Sequence, residues 1–220
     1  MYTLLIGDRA YSSWSMRGWL LLAAFRIRFE EELVHMYDPA FERMQAEKAP
    51  ARTVPMLEWR EDGQQRRIWE TTAIAETLAE RHPGAGIWPR DRRLREVARV
   101  LVAEMHAGFM ALRREAPMNL HRVDRPFPEM PEGLETDLAR LATLWTWALE
   151  TTGGPWLAGP EFSAADVFFA PVATRLESYA LMRPATEPYA RRLMAHPPVA
   201  EWIAAGRAHP RRLERYDRPG

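Results

Sequence analysis

Three short stretches of this chain gather side chains able to do chemistry. The first is Ala10-Tyr-Ser-Ser-Trp-Ser-Met-Arg-Gly18, which sets the hydroxyls of Ser12, Ser13 and Ser15 between an apolar strand and an amphipathic helix. A helix start exposes unpaired N–H groups at the positive end of its dipole, so a hydroxyl there helps to hold an anion, a thiolate included. The same serine also serves as a plain N-cap. The second is Thr53-Val54-Pro55. An X-Pro bond ahead of a strand is a candidate for the cis form, which would turn the Val54 N–H and C=O outward to pair with an extended peptide. A trans proline opening a strand is the plainer alternative. The third is Glu70-Thr71, between a strand and a helix. Thr71 can cap that helix and hold a carboxylate while Glu70 pairs with an ammonium, or the two form only a cap beside a solvated glutamate.

The elements that must position these residues follow from hydropathy patterning. Tyr2 to Ile6 reads as a buried strand, Ser13 to Phe25 as a helix, and Phe29 to Val34 as a second strand. A short helix over Pro39 to Lys48 is followed by a hairpin, Met56 to Trp59 and Arg67 to Trp69, turning at Glu61-Asp62-Gly63-Gln64. Thr71 to Arg81 is again helical, so the order is β-α-β-α-β-β-α, a small mixed sheet with helices packed on it. The Pro- and Gly-rich run His82-Pro-Gly-Ala-Gly-Ile-Trp-Pro89 reads as a linker. Everything beyond it is helical in pattern. One long helix is predicted up to Pro117, from the spacing of Leu94, Val97, Ala98, Leu101, Met105, Phe109 and Leu112. Further helices are predicted over Leu134 to Glu150, from Ser163, over Pro188 to Ala195 and over Pro198 to Arg207. The Arg-rich stretch Arg207 to Arg218 reads as a solvated, partly ordered end. The domains are therefore expected at 1–82 and 90–220, joined by 83–89.

A chain of 220 residues can bury a sizeable core. Its 30 Lys and Arg balance 30 Asp and Glu, so no surplus charge points to nucleic acid or an acidic membrane surface. Cysteine is absent, which excludes disulfides, Cys-based zinc sites and any mechanism that uses a thiol of the protein. No metal is expected. No apolar run approaches the ~20 residues that span a bilayer, and the first residues lack the pattern of a secretory signal. A cytoplasmic protein is expected.

Taken together, Ser12/Ser13, Val54-Pro55 and Glu70-Thr71 resemble the glutathione site of cytosolic glutathione transferases. The element order, the linker and the all-helical second half are similar to that family along the whole chain. The resemblance implies an α/β thioredoxin-like N-terminal domain followed by an all-α C-terminal domain, acting as a homodimer. It implies that Ser12, or else Ser13, contacts the glutathione sulfur and lowers its pKa. It also implies that Val54 before Pro55 pairs with the cysteinyl backbone, and that Glu70 with Thr71 binds the γ-glutamyl end. Arg52 and Lys48 are placed for the glycine carboxylate. Candidates for an interdomain electrophile pocket are Val102, His106 and Phe109. Gly159-Pro-Glu-Phe-Ser-Ala-Ala-Asp166 looks like a capping box and hydrophobic staple, with Asp166 returning to the Ser163 N–H and Phe162 packing on Val167. Tyr-Ser-Ser-Trp-Ser-Met-Arg is most similar to the serine-based, zeta-like pattern, departing from it at Trp14, where that pattern has cysteine. The departure weighs against carrying over maleylacetoacetate isomerase activity. The reaction implied is conjugation of glutathione to a small electrophile, or isomerisation of one, as in detoxification. A catalytically silent binding or scaffold protein on the same fold is the alternative.

Overall fold

The computed structural model describes residues 1–217. Strand β1 (Tyr2–Ile6), apolar except for Thr3, takes the interior of a four-stranded sheet ordered β2-β1-β3-β4. It runs parallel to β2 (Phe29–Leu33) and antiparallel to β3 (Met56–Glu61), and β3 pairs antiparallel with β4 (Gln64–Trp69). Three consecutive glutamates, Glu30 to Glu32, confine β2 to an exposed edge, where charge discourages further pairing. The hairpin turns where expected, with positive φ at Asp62 (51°) and Gly63 (75°), as a type I′ turn requires.

Helices α1 (Ser13–Ala23) and α3 (Thr71–Arg81) cover one face of this sheet and belong to the main core. Helix α2 (Pro39–Glu47) covers the other face, where Leu5, Val34, Met44, Ala51, Val54 and Met56 form a smaller cluster. One position governs how the site is assembled. A β-carbon on Gly18 would lie 2.6 Å from Cβ and Cγ of Pro55, so only glycine lets α1 lie against the loop that carries Val54.

The second half is helical, as read from the sequence, but the long helix is broken. Helix α4 (Arg92–Ala107) ends at Gly108, Phe109 turns left-handed at φ 60°, and α5 (Met110–Glu115) begins anew. The apolar spacing runs through the break. The break is stabilised by Arg113, which reaches back to cap the carbonyls of Gly108 (2.9 Å), Met105 and His106. Helices α6 (Leu134–Thr152), α7 (Ala164–Ser178), α8 (Glu187–Ala195) and α9 (Pro197–Ala208) follow. The Ser163 N–H donates to Asp166 at 2.8 Å, completing the expected capping box, and Phe162 stacks on His196 at 3.9 Å.

The C-terminal segment departs most from expectation. Arg207 still belongs to α9, and residues 208–217, although largely exposed, are tied to the rest of the molecule by specific contacts. Arg211 pairs with Asp38, Arg212 with His121, and a short 3-10 turn at Glu214–Tyr216 lays Tyr216 on Tyr11. Their partners lie 91 to 205 positions earlier in the chain, which is why local composition gave no sign of them. Arg218 lies outside the described residues.

Candidate active site

The chain leaves β1 through a turn in which the Asp8 carbonyl accepts from the N–H groups of Tyr11 (3.0 Å) and Ser12 (2.8 Å), delivering the serines to the start of α1. The three hydroxyls then divide. Ser12 is the N-cap: its oxygen accepts from the Ser15 N–H at 3.3 Å and its hydroxyl donates to Ser15 Oγ at 2.7 Å. Ser15 is fully buried and accepts from the Gly7 N–H at 2.9 Å, satisfying the donor left where the chain leaves β1. Ser13 Oγ accepts from Arg175 Nη2 at 3.1 Å. That bond leaves the Ser13 proton available to a ligand.

Arg175 is the feature that sequence reading missed. Its signal was a lone charge inside the apolar run of α7, at residues 167–176. It is almost wholly buried and donates also to the carbonyls of Ala116 (2.9 Å) and Pro171 (3.1 Å). Burial, then the charge of Arg113, lowers its pKa to about 9. Arg113 is lowered as well, by burial and against the pull of Asp137. Arg17, fully buried, donates to the carbonyls of Phe168 (2.9 Å) and Ser13 (3.3 Å) and is held well below its ordinary value by burial and by the other two arginines. Two of these cations, Arg113 and Arg175, line a cleft of about 460 Å³ with Ser12, Ser13, Val54 and Arg52. A site built this way favours an anion.

A second cavity, about 260 Å³, holds Glu70, Thr71 and His106, and the two share Trp14, Thr53 and Val54. Trp14 therefore borders both. Its ring has the Arg17 guanidinium at 4.6 Å, that of Arg113 at 4.8 Å, and the His106 ring edge-on at 5.2 Å. The Val54-Pro55 bond is cis. Glu70 sits at φ 70° and takes the cap position of α3, so Thr71 is the first residue of the helix rather than its cap. Among the described residues the buried Thr71 Oγ1 and His106 Nδ1 have no hydrogen-bond partner, and His106 Nε2 lies 4.0 Å from Glu70.

The remaining expected residues fall outside these cavities or are already engaged. Val102 and Phe109, expected in the electrophile pocket, are buried in the core, Phe109 edge-on to Phe169. Lys48 is drawn to Glu58 at 2.8 Å, while Arg52 stays on the cleft wall. Among the described residues no cluster able to hold a metal ion is found, and no helix is long and apolar enough to cross a membrane.

This geometry coincides with two sequence matches that between them take in most of the chain. Residues 11–81 match the glutathione S-transferase N-terminal domain, and residues 95–205 match the C-terminal domain. The chain belongs to the glutathione S-transferase family. No curated protein sequence matches it. Solved structures of glutathione transferases and isomerases resemble it along nearly their whole length. A glutathione transferase homolog from Burkholderia gl BGR1, with bound glutathione, is 24% identical at a TM-score of 0.68, covering 94% of this chain and 99% of that one. Maleylacetoacetate isomerase from Anaeromyxobacter dehalogenans, with dicarboxyethyl glutathione and citrate in its active site, is 26% identical at 0.64, covering 92% and 94%. Glutathione transferase Omega 2C from Trametes versicolor shares the fold at 0.71 with 16% identity, covering 98% and 97%. The family assignment and the thioredoxin-like fold with a helical second half thus agree with the sequence reading.

Proposed function

We propose that this glutathione S-transferase ionises the glutathione thiol through Ser13 and presents it to small acidic electrophiles. The observation that carries this reading is the Arg175–Ser13 hydrogen bond at 3.1 Å on the wall of the larger cleft. Arg175 occupies the serine's acceptor site, so the Ser13 O–H is free to donate to sulfur. Ser12 donates its own hydroxyl to Ser15. A free thiol titrates near ~8.5, and a donated hydrogen bond beside two guanidinium groups favours its charged form. Val54, Glu70 and Thr71 line the rest of the groove and suit the cysteinyl backbone and the γ-glutamyl end, with Arg52 near the glycine end.

The chemistry that follows is simple to balance. The thiol proton leaves to solvent, and the sulfur forms a bond to an electrophilic carbon. The displaced pair then departs with a leaving group, or rests on the adjacent carbon until that bond rotates and sulfur is expelled. Arg113 and Arg175 favour a carboxylate on the electrophile, in keeping with the acidic ligands held by the Anaeromyxobacter isomerase. We take the protein to act as a cytoplasmic homodimer, which sedimentation of the purified chain tests.

The decisive comparison is Ser13→Ala against Ser12→Ala, with maleylacetone, an α-haloacid and a haloaromatic as electrophiles. Ser13→Ala should lower turnover by ~10²-fold and raise the thiol pKa of bound glutathione. Equal loss in both variants, or none in Ser13→Ala, overturns the assignment. A wild-type protein that binds glutathione but turns over no electrophile would instead favour the scaffold reading.

A further inference from the structure

The larger cleft has a wall that none of the glutathione contacts requires. Beyond α9 the chain crosses from one half of the molecule to the other as a strap over residues 209–217. Its root is fixed: Trp202 Nε1 donates to the Arg9 carbonyl at 3.1 Å, and a β-carbon on Gly206 would lie 2.5 Å from Leu120. Arg211 then grips the loop after β2, donating to Asp38 at 2.8 and 3.2 Å and to the Met36 carbonyl at 3.0 Å, with Asp8 at 3.5 Å. The Leu213 N–H donates to Tyr11 Oη at 3.1 Å. On the other side, Asn119 Nδ2 donates to the Tyr216 carbonyl at 3.3 Å and to Asp217 at 3.1 Å.

Between these anchors two tyrosines meet. The hydroxyls of Tyr216 and Tyr37 are 3.1 Å apart, the Arg215 guanidinium sits 3.9 Å from the Tyr37 ring centroid, and Tyr216 lies 4.8 Å from Tyr11. Tyr11, Tyr37 and Tyr216 all line the larger cleft, and none of them lines the Glu70 cavity. We propose that the strap is a size filter for the electrophile, with the Tyr37–Tyr216 pair as the bar across the entrance. The inference rests on reading the larger cleft as the electrophile's site. The filter excludes substrates by bulk and leaves recognition of their carboxylate to Arg113 and Arg175.

Binding without chemistry separates this inference from the proposed reaction. Calorimetric titration with phenylacetate and diphenylacetate, in the absence of glutathione, reads the filter directly. Wild-type protein should prefer the smaller acid. Tyr216→Ala should move the ratio of the two Kd values toward the larger acid by about tenfold, since a few carbon atoms of pocket space discriminate on that scale. Tyr37→Phe, which keeps the ring and removes the hydroxyl pair, and Arg211→Gln, which loosens the anchor, should move the ratio the same way by less. A chain ending at Ala208 should show the largest change. Tyr37→Phe and Arg211→Gln keep the test alive if the larger alterations fail to fold. An unchanged ratio in folded variants overturns the filter, as does failure of diphenylacetate to bind any variant. Intact size selection in a protein that transfers nothing would overturn only the proposed reaction.

Discussion

At the scale of single residues, the site turns on what each polar atom already does before a ligand arrives. Ser12 and Ser13 are neighbours of equal burial, yet one spends its proton inside the helix start and the other does not. Sequence could bring both to the helix start but could not rank them, because the ranking depends on an arginine 162 positions away. Loss of Ser12 as a cap should cost about 1 kcal/mol of stability with a smaller effect on rate than loss of Ser13. Arg175 tests the rest. Arg175→Met should lower kcat/KM for an acidic electrophile by about 10- to 100-fold, the worth of a charged hydrogen bond, and for a neutral one by less. The guanidinium is charged below about 9 and neutral above it, so the preference for acidic substrates should fade as pH rises past that value. A pH profile of kcat/KM for paired acidic and neutral substrates measures this. His106 was legible as a residue near the cleft, but its place beside Glu70 was not, since helical spacing fixes a face and not what opposes it.

At the scale of elements, the site exists because α1 and the loop before β3 approach more closely than side chains normally permit. Gly18→Ala would drive a methyl group into the rigid Pro55 ring, so overpacking of about 1–3 kcal/mol is expected. At about 2–4 °C per kcal/mol for a chain of this size, thermal unfolding would detect it, together with weaker retention on immobilised glutathione. The same loop is tied from its other end by Glu58. This carboxylate sits opposite Arg67 in the β3–β4 register and receives hydrogen bonds from Lys48 (2.8 Å) and Arg67 (2.5 Å). Burial pushes its pKa up, but those bonds outweigh it and the net shift is downward from 4.5. A depressed carboxyl pKa contributes stability above the ordinary value, and that contribution is lost as pH falls through the folded-state value. Glu58→Gln should therefore be less stable than wild type at neutral pH and closer to it in acid, as urea titrations between pH 7 and 3 would show. The alternation of strands and helices was readable because β1 is predominantly apolar and the Asp-Gly turn is unambiguous. The break at Gly108 was hidden, because Arg113 stabilises it from outside the apolar spacing that predicted one helix.

At the scale of the whole molecule, the two halves share one core. A single cluster of buried apolar residues runs from Tyr2 to Ile203, and Arg17 on α1 hydrogen-bonds to the Phe168 carbonyl on α7. The main core is thus common to both halves, and the smaller cluster under α2 packs on the same sheet, so calorimetry should show one cooperative transition with equal calorimetric and van't Hoff enthalpies. Two resolved transitions would contradict that. The Pro- and Gly-rich stretch 83–89, which lies between α3 and α4, was visible in composition, whereas the shared interior was not, because pairing of helix faces across 150 residues leaves no local mark. Trp14 carries this joining of parts into the site itself, since one indole bounds both cavities. Whatever enters one chamber presses on a surface belonging to the other, and thermodynamic reciprocity then requires that any help or hindrance given in one direction be returned in equal measure.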